Sequence, residues 1–114
     1  MRTEVVNISK SKCDIYIGRR EHGMHYGNPA GHKKSDIAVV KTKSRKQAIT
    51  FYKDWLDGKY PEIEPERRQW ILENMHDLKG KKLGCYCFPL ACHGNILVEM
   101  LEGAEEMEYD DRAF

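Results

Sequence analysis

Cys85, Cys87, Cys92 and His93 fall within nine residues of one another and run straight into Gly94 and Asn95. Thiols and imidazoles are the side chains that change charge or bind metal most readily near neutral pH. So dense a set has three readings. In the first, Cys87, Cys92 and His93 line a pocket for an anion or nucleotide. A Cys92 thiolate is then the nucleophile, His93 the general acid or base, and Gly94 and Asn95 complete the wall. In the second, Cys85, Cys87, Cys92 and His93 hold zinc as a Cys3His set. C-x-C followed by an adjacent C-H is not the usual ligand spacing, and two neighbouring ligands on one turn are hard to aim at one metal. In the third, the cysteines are small apolar residues packed in a core, and the His93-Gly94 pair is the part that packing explains least.

The elements that must position these groups are readable around them. Residues 83–87 are short, apolar and followed closely by Pro89, which predicts a buried strand with Cys85 and Cys87 on one face and Tyr86 on the other. Residues 92–102 are apolar at helical spacing. Cys92 or His93 therefore falls at a helix N-terminus, where unpaired N–H groups favour a thiolate or a bound anion. Strand-to-helix turns of this kind carry the ligand sites of α/β proteins.

This stretch also carries a resemblance. The block Cys85-Tyr-Cys-Phe-Pro-Leu-Ala-Cys-His-Gly94, with Val5-Val6-Asn7, Tyr16-Ile17-Gly18-Arg19 and Gly27-Asn28-Pro29 upstream, resembles the DUF4326 family over roughly residues 4–102. That family is a set of small domains from bacteria, archaea and phages with no assigned reaction, so the resemblance implies a family and no activity. The end of the block is also similar, more weakly, to the C-x-x-x-x-P-x-x-C-H-R ending of DUF488-type proteins.

Upstream, residues 19–36 form the longest piece without a periodic pattern, and such a loop in a small domain is a candidate binding loop. Arg19 and Arg20 offer planar forks for phosphate. Pro29 restrains Asn28 to an extended backbone, from which its amide can orient a ligand. His22, His25 and His32 lie in the same loop, but their spacing is a weak metal signal. The alternative for the whole loop is a solvated basic segment.

The rest of the chain supplies a scaffold. Residues 4–8 and 13–17 alternate as strands, and the short polar connection between them predicts a hairpin. Cys13 reads as core, and residues 37–40 as a further apolar strand. Ser44 caps a helix over residues 45–57 whose stripe of Ala48, Phe51, Tyr52, Trp55 and Leu56 is core, and Gly58 ends it. Pro65 opens a second helix reaching about residue 78, with Trp70, Ile71, Met75 and Leu78 buried and Glu66, Arg67, Arg68 and Glu73 exposed. The expected class is α/β: one compact domain over residues 1–103, with a mixed, mostly parallel sheet of about four strands and three helices in a Rossmann-like sandwich.

At 114 residues, with 40% apolar and 32% charged side chains, there is material for one core. No apolar run is long enough to span a membrane, the first residues lack a signal-peptide core, and the crowded cysteines suit a reducing setting, so the expected location is the cytoplasm. Net charge is +1. It hides an asymmetry, for residues 1–50 hold eleven Lys or Arg against four acids, while residues 103–114 hold one Arg against five. Residues 104–114 therefore read as an acidic, disordered tail. The leading expectation is a pocket for a phosphate-bearing ligand, a nucleotide or nucleic-acid-derived group, serving a hydrolase or transferase without a cofactor. The alternatives are a non-catalytic module of phage type that binds nucleic acid or a host protein through its basic half, and a zinc-stabilised structural domain.

Overall fold

The computed structural model describes residues 2–19, 23–31, 40–86, 90 and 92–102. Among the described residues five strands and three helices follow one another as β1 (Glu4–Asn7), β2 (Ile15–Tyr16), β3 (Ala30–Gly31), β4 (Val40–Lys41), α1 (Arg45–Leu56), α2 (Pro65–Asn74), β5 (Lys82–Cys85) and α3 (His93–Glu102). A 3-10 turn over Met75–Leu78 continues α2 towards β5. The chain is thus an α/β protein of one compact domain.

The strands form a three-stranded sheet in the order β1-β5-β2 and a two-stranded sheet of β3 and β4, and every ladder is parallel. The expected hairpin is therefore corrected: β1 and β2 do not pair with each other but flank β5. The apolar β5 is the better partner for both, being the strand buried on both sides. The connection over residues 8–14 has to cross β5 to reach the far edge, and Gly84 makes this possible. A Cβ there would collide with Ile8 Cγ2 and the Cys13 sulfur, so only glycine lets the crossover lie flat on the sheet. Cys13, expected in the core, is accordingly half-buried in that crossover.

The helices cover the opposite face. The Ser44 hydroxyl accepts from the Gln47 N–H at 3.1 Å and caps α1 as expected. Tyr52, Trp55 and Leu56 of α1 join Ile71, Leu78, Leu97, Val5, Ile17 and Leu83 in one core. Phe51 lies at its edge, stacked on Tyr60 at 4.5 Å. Trp70 is only partly buried, packed against Tyr26 at 4.9 Å. A second correction concerns Arg67, expected on the solvated face of α2 and found only 5% exposed. Its guanidinium lies 4.9 Å from the Trp55 ring and has polar partners on three sides.

Candidate functional site

The parallel pairing of β2 with β5 brings two distant parts of the sequence to one rim of the sheet. The chain leaves β2 through Ile17 and Gly18 to Arg19, and returns after β5 into α3. At the start of α3, Cys92 is the N-cap residue. Its N–H donates to Asn95 Oδ1 at 2.8 Å, and the Asn95 N–H donates to the Cys92 carbonyl at 3.0 Å. The bond from the Cys92 N–H to the Asn95 side chain is one half of a capping box with asparagine at N3, and the Asn95 N–H closes the turn on the Cys92 backbone carbonyl. Gly94 sits against the sheet, where a Cβ would lie 2.7 Å from Ile17 Cδ1. Asn95 and Gly94 thus fasten the helix start rather than leaving it loose.

His93, the first residue of α3, is fixed at both of its faces. Its Nε2 lies 2.6 Å from the Ile17 carbonyl oxygen. A carbonyl can only accept, so the ring proton resides on Nε2 and Nδ1 carries the lone pair. The ring meets Tyr52 edge-on at 5.1 Å. Among the described residues Nδ1 has no hydrogen-bond partner. Burial lowers the His93 pKa; the bond to Ile17 and the nearby Cys85 oppose this, while Arg19 and Arg67 add to the lowering. His93 is therefore a neutral, oriented imidazole with one basic nitrogen available.

The two described cysteines of the motif lie beneath it. Cys85 and Cys92 are buried with their sulfurs 3.5 Å apart. Among the described residues no group of three or more His, Cys, Asp or Glu side chains is placed to hold a metal ion. Cys87 and Arg20 lie outside the described residues, as do His22, His32 and the tail over residues 104–114.

On the β2 side, Arg19 Nε donates to the Asn28 carbonyl at 2.8 Å and Nη2 to the Ala30 carbonyl at 2.7 Å. Asn28 is buried with both ends of its amide engaged. Its Nδ2 donates to the Ala48 carbonyl at 2.6 Å, and its Oδ1 accepts from the Ala30 N–H at 2.9 Å. Asn28 therefore shapes the loop and ties it to α1. Arg19 does the same from the rim and carries the charge there.

A family model described as a domain of unknown function (DUF4326) matches residues 3–103. The chain belongs to the DUF4326 family. No curated protein and no solved structure matches it.

Beside this rim lie three residues that the sequence pattern did not single out as a unit: His25, Glu64 and Arg67. Arg67 donates through Nε and Nη2 to the two Glu64 oxygens at 3.0 and 3.1 Å, and through Nη1 to the His25 carbonyl at 3.1 Å and to the Gly27 carbonyl. The His25 Nδ1 accepts from the Gly27 N–H at 3.1 Å. Burial, with Arg67 next in weight, lowers the His25 pKa to about 4. Glu64 has a left-handed backbone, φ 38° and ψ 56°, directly before Pro65. Non-glycine residues avoid that region, and the residue before proline avoids it further. The forked ion pair to Arg67 holds it there. The Glu64-x-x-Arg67 spacing at a proline-opened helix was the available signal, but the same spacing is common on solvated helix faces.

Proposed function

We propose that this DUF4326 chain binds a phosphate-bearing ligand, a nucleotide or nucleic-acid-derived group, at the rim formed by Arg19 and the α3 N-terminus, and acts on it as a hydrolase or transferase. The observation that carries this reading is geometric: the His93 ring, at the start of α3, bonds the Ile17 carbonyl two residues before Arg19, so the Arg19 cation and the helix N-terminus share one rim. A cation beside a helix N-terminus favours an anion there. The α3 N-terminus, with Gly94 and Asn95 in its first turn, adds its partial positive charge. His93 Nδ1 takes a proton from a water or ligand hydroxyl attacking the phosphoryl or glycosidic centre, the bond from that centre to its leaving group breaks, and the imidazolium returns the proton to the leaving group, while the Ile17 carbonyl fixes the ring's tautomer and direction. Cys92, under the helix start, is the nucleophile available to a covalent route. Arg20 and Cys87 extend the ligand-binding set by their place in the sequence. The crowding of Cys85, Cys87 and Cys92 into one turn suits a reducing, cytoplasmic setting.

The test is titration of the full chain with a panel of nucleoside mono- and diphosphates, with amide shifts of His93, Gly94 and Asn95 followed by NMR and product release by chromatography. Binding is expected to shift those amides and to weaken in Arg19→Gln. His93→Gln keeps a donor for the Ile17 carbonyl but removes the base, so affinity is expected to survive while turnover falls about 100-fold or more. Amide shifts confined to another surface would overturn the reading. Zinc near one per chain, with unfolding by a chelator, would assign the sulfurs to a structural metal instead.

A further inference from the structure

The sheet has a second face that the rim does not use. Side chains of the helices join one core with Val5, Leu83, Cys85 and Ile17, so among the described residues the opposite face of β1-β5-β2 is covered by the crossover over residues 8–14. Parallel sheets ordinarily have both faces covered by helices. Two tyrosines stand on this face. Tyr16 is in register with Gly84, the glycine under the crossover, and Tyr86 follows Cys85 with its side chain turned away from the core. Tyr86 is 68% exposed. Its ring meets the Tyr16 ring at a centroid distance of 6.4 Å and an interplanar angle of 73°. The Tyr16 ring lies back over Gly18, where a Cβ would collide with the tyrosine ring. Asn7 Nδ2 donates to the Tyr86 carbonyl at 3.2 Å and so steadies its backbone.

The crossover that covers Gly84 carries Lys10 and Lys12, both exposed, in a Ser9-Lys10-Ser11-Lys12 sequence, and its one acid, Asp14, is engaged by the Lys82 N–H at 2.8 Å. It is itself ordered, because the Lys10 and Ser11 N–H groups donate to the Asn7 carbonyl at 3.0 and 2.9 Å, and the Ser9 N–H and hydroxyl donate to Asn7 Oδ1 at 2.9 and 2.6 Å. An exposed aromatic ring supported edge-on by a second ring, beside a rigid turn bearing two ammonium groups, combines two attractions. One is for a planar π-face, and the other is for a phosphate backbone.

We propose that this crossover face is a binding surface for single-stranded nucleic acid, with an unpaired base stacked on Tyr86 and the adjoining phosphates met by Lys10 and Lys12. Stacking on aromatic rings with a basic track alongside is the general physics of strand binding without base-specific contacts. Duplex nucleic acid hides its base faces and cannot use Tyr86. The surface is independent of the rim, and neither His93 nor Arg19 takes part in it.

The experiment is fluorescence anisotropy of the full chain with a labelled twelve-nucleotide oligothymidylate, its blunt duplex with oligodeoxyadenylate, and inorganic phosphate as competitor. The single strand is expected to bind, with the duplex clearly weaker. Tyr86→Ala is expected to weaken single-strand binding about fivefold to a hundredfold, and Tyr86→Phe to retain it, since stacking needs the ring and not the hydroxyl. Lys10→Gln with Lys12→Gln should flatten the dependence of affinity on salt. Tyr86 is exposed, so an unchanged circular dichroism spectrum for Tyr86→Ala separates lost binding from lost folding. His93→Gln should bind the oligonucleotide as the parent does, so failure of the rim reading leaves this one standing. Equal affinity for strand and duplex, or an unaltered affinity in Tyr86→Ala, overturns the proposal. So does sedimentation showing that Tyr86 instead seals a dimer of this chain.

Discussion

His25 shows how one imidazole can carry the pH dependence of a fold. The residue is 8% exposed, its Nδ1 accepts from the Gly27 N–H, and the charged groups that act on it are Arg67, Glu64, Arg19 and His93. Burial is the largest cause of its pKa of about 4, Arg67 comes next, and Glu64 opposes them. In the unfolded chain His25 takes a proton near pH 6.5, whereas the folded chain refuses it until about pH 4. Between those values the unfolded state binds more protons, so stability rises with pH and is lost on acidification through this window. The full shift corresponds to about 3 kcal/mol at 1.36 kcal/mol per unit. His93, lowered for the same leading reason, acts in the same direction. Glu64, held below the ordinary carboxylate range chiefly by its bond to Arg67, adds a loss that begins only below the usual carboxylate pKa. Urea unfolding at pH 7 and pH 4.5 is therefore expected to show a marked fall for the parent, and a smaller fall for His25→Gln. An identical slope in the variant would remove His25 from this role. Nothing in a His-x-x-His spacing announced a buried, uncharged ring, because burial of a loop residue depends on what another element places over it.

Among the elements, α2 does more than bury an apolar stripe. Its Arg67 reaches back to the carbonyls of His25 and Gly27, and Arg68 donates to the Trp55 carbonyl at 3.0 Å and to the Leu56 carbonyl at 2.8 and 3.1 Å. Arg68 thereby occupies the Leu56 carbonyl at the C-terminus of α1 and adds a second donor to the Trp55 carbonyl, which already accepts from the Gly58 N–H at 3.0 Å, with a charge of the sign that end of a helix favours. Arg67 holds the loop over residues 23–31, and with it the ground on which Arg19 rests. Removing a buried cation leaves its partners stranded, and the usual cost is about 3–5 kcal/mol. Arg67→Met should therefore lower the unfolding free energy by about 3 kcal/mol or more, and Arg67→Lys should not rescue it, since one ammonium cannot reach two carboxylate oxygens and two carbonyls in this geometry. A loss below about 1 kcal/mol on urea unfolding would show that these bonds are replaced by water. The element boundaries were legible because Ser44, Gly58 and Pro65 each have a local physical effect. The inward arginine was not, because its partners come from residues 23–31, and no periodicity within α2 refers to them.

For the whole molecule, the α/β class and the meeting of Arg19 with the His93 turn followed from strand order and from the rule that parallel neighbours share a carboxyl-end rim. The hairpin failed because local connection length competes with a long-range preference, and β5 offers each edge strand a better partner than they offer each other. Such a sheet depends on β1 reaching across the sequence to β5, and one residue secures that reach at the far end. Thr3 is 1% exposed; its N–H and hydroxyl donate to Glu102 Oε1 at 3.0 and 2.6 Å, and the same hydroxyl accepts from the Gly80 N–H at 2.7 Å. Three segments meet there: the entry to β1, the turn before β5 and the end of α3. Valine has nearly the shape of threonine but neither donates nor accepts, so Thr3→Val isolates the polar contribution. It leaves the Gly80 N–H without its acceptor, at a cost of about 1–2 kcal/mol. The effect should be global rather than a fraying of the ends, because among the described residues β1 is an edge strand whose only ladder is to β5. Amide exchange is the measurement that decides. In Thr3→Val, the protection of Leu83 and Leu97 in the core should fall together with that of Val5. If Val5 alone loses protection, β1 is an appendage to the domain, and the parallel sheet does not need it to hold the rim.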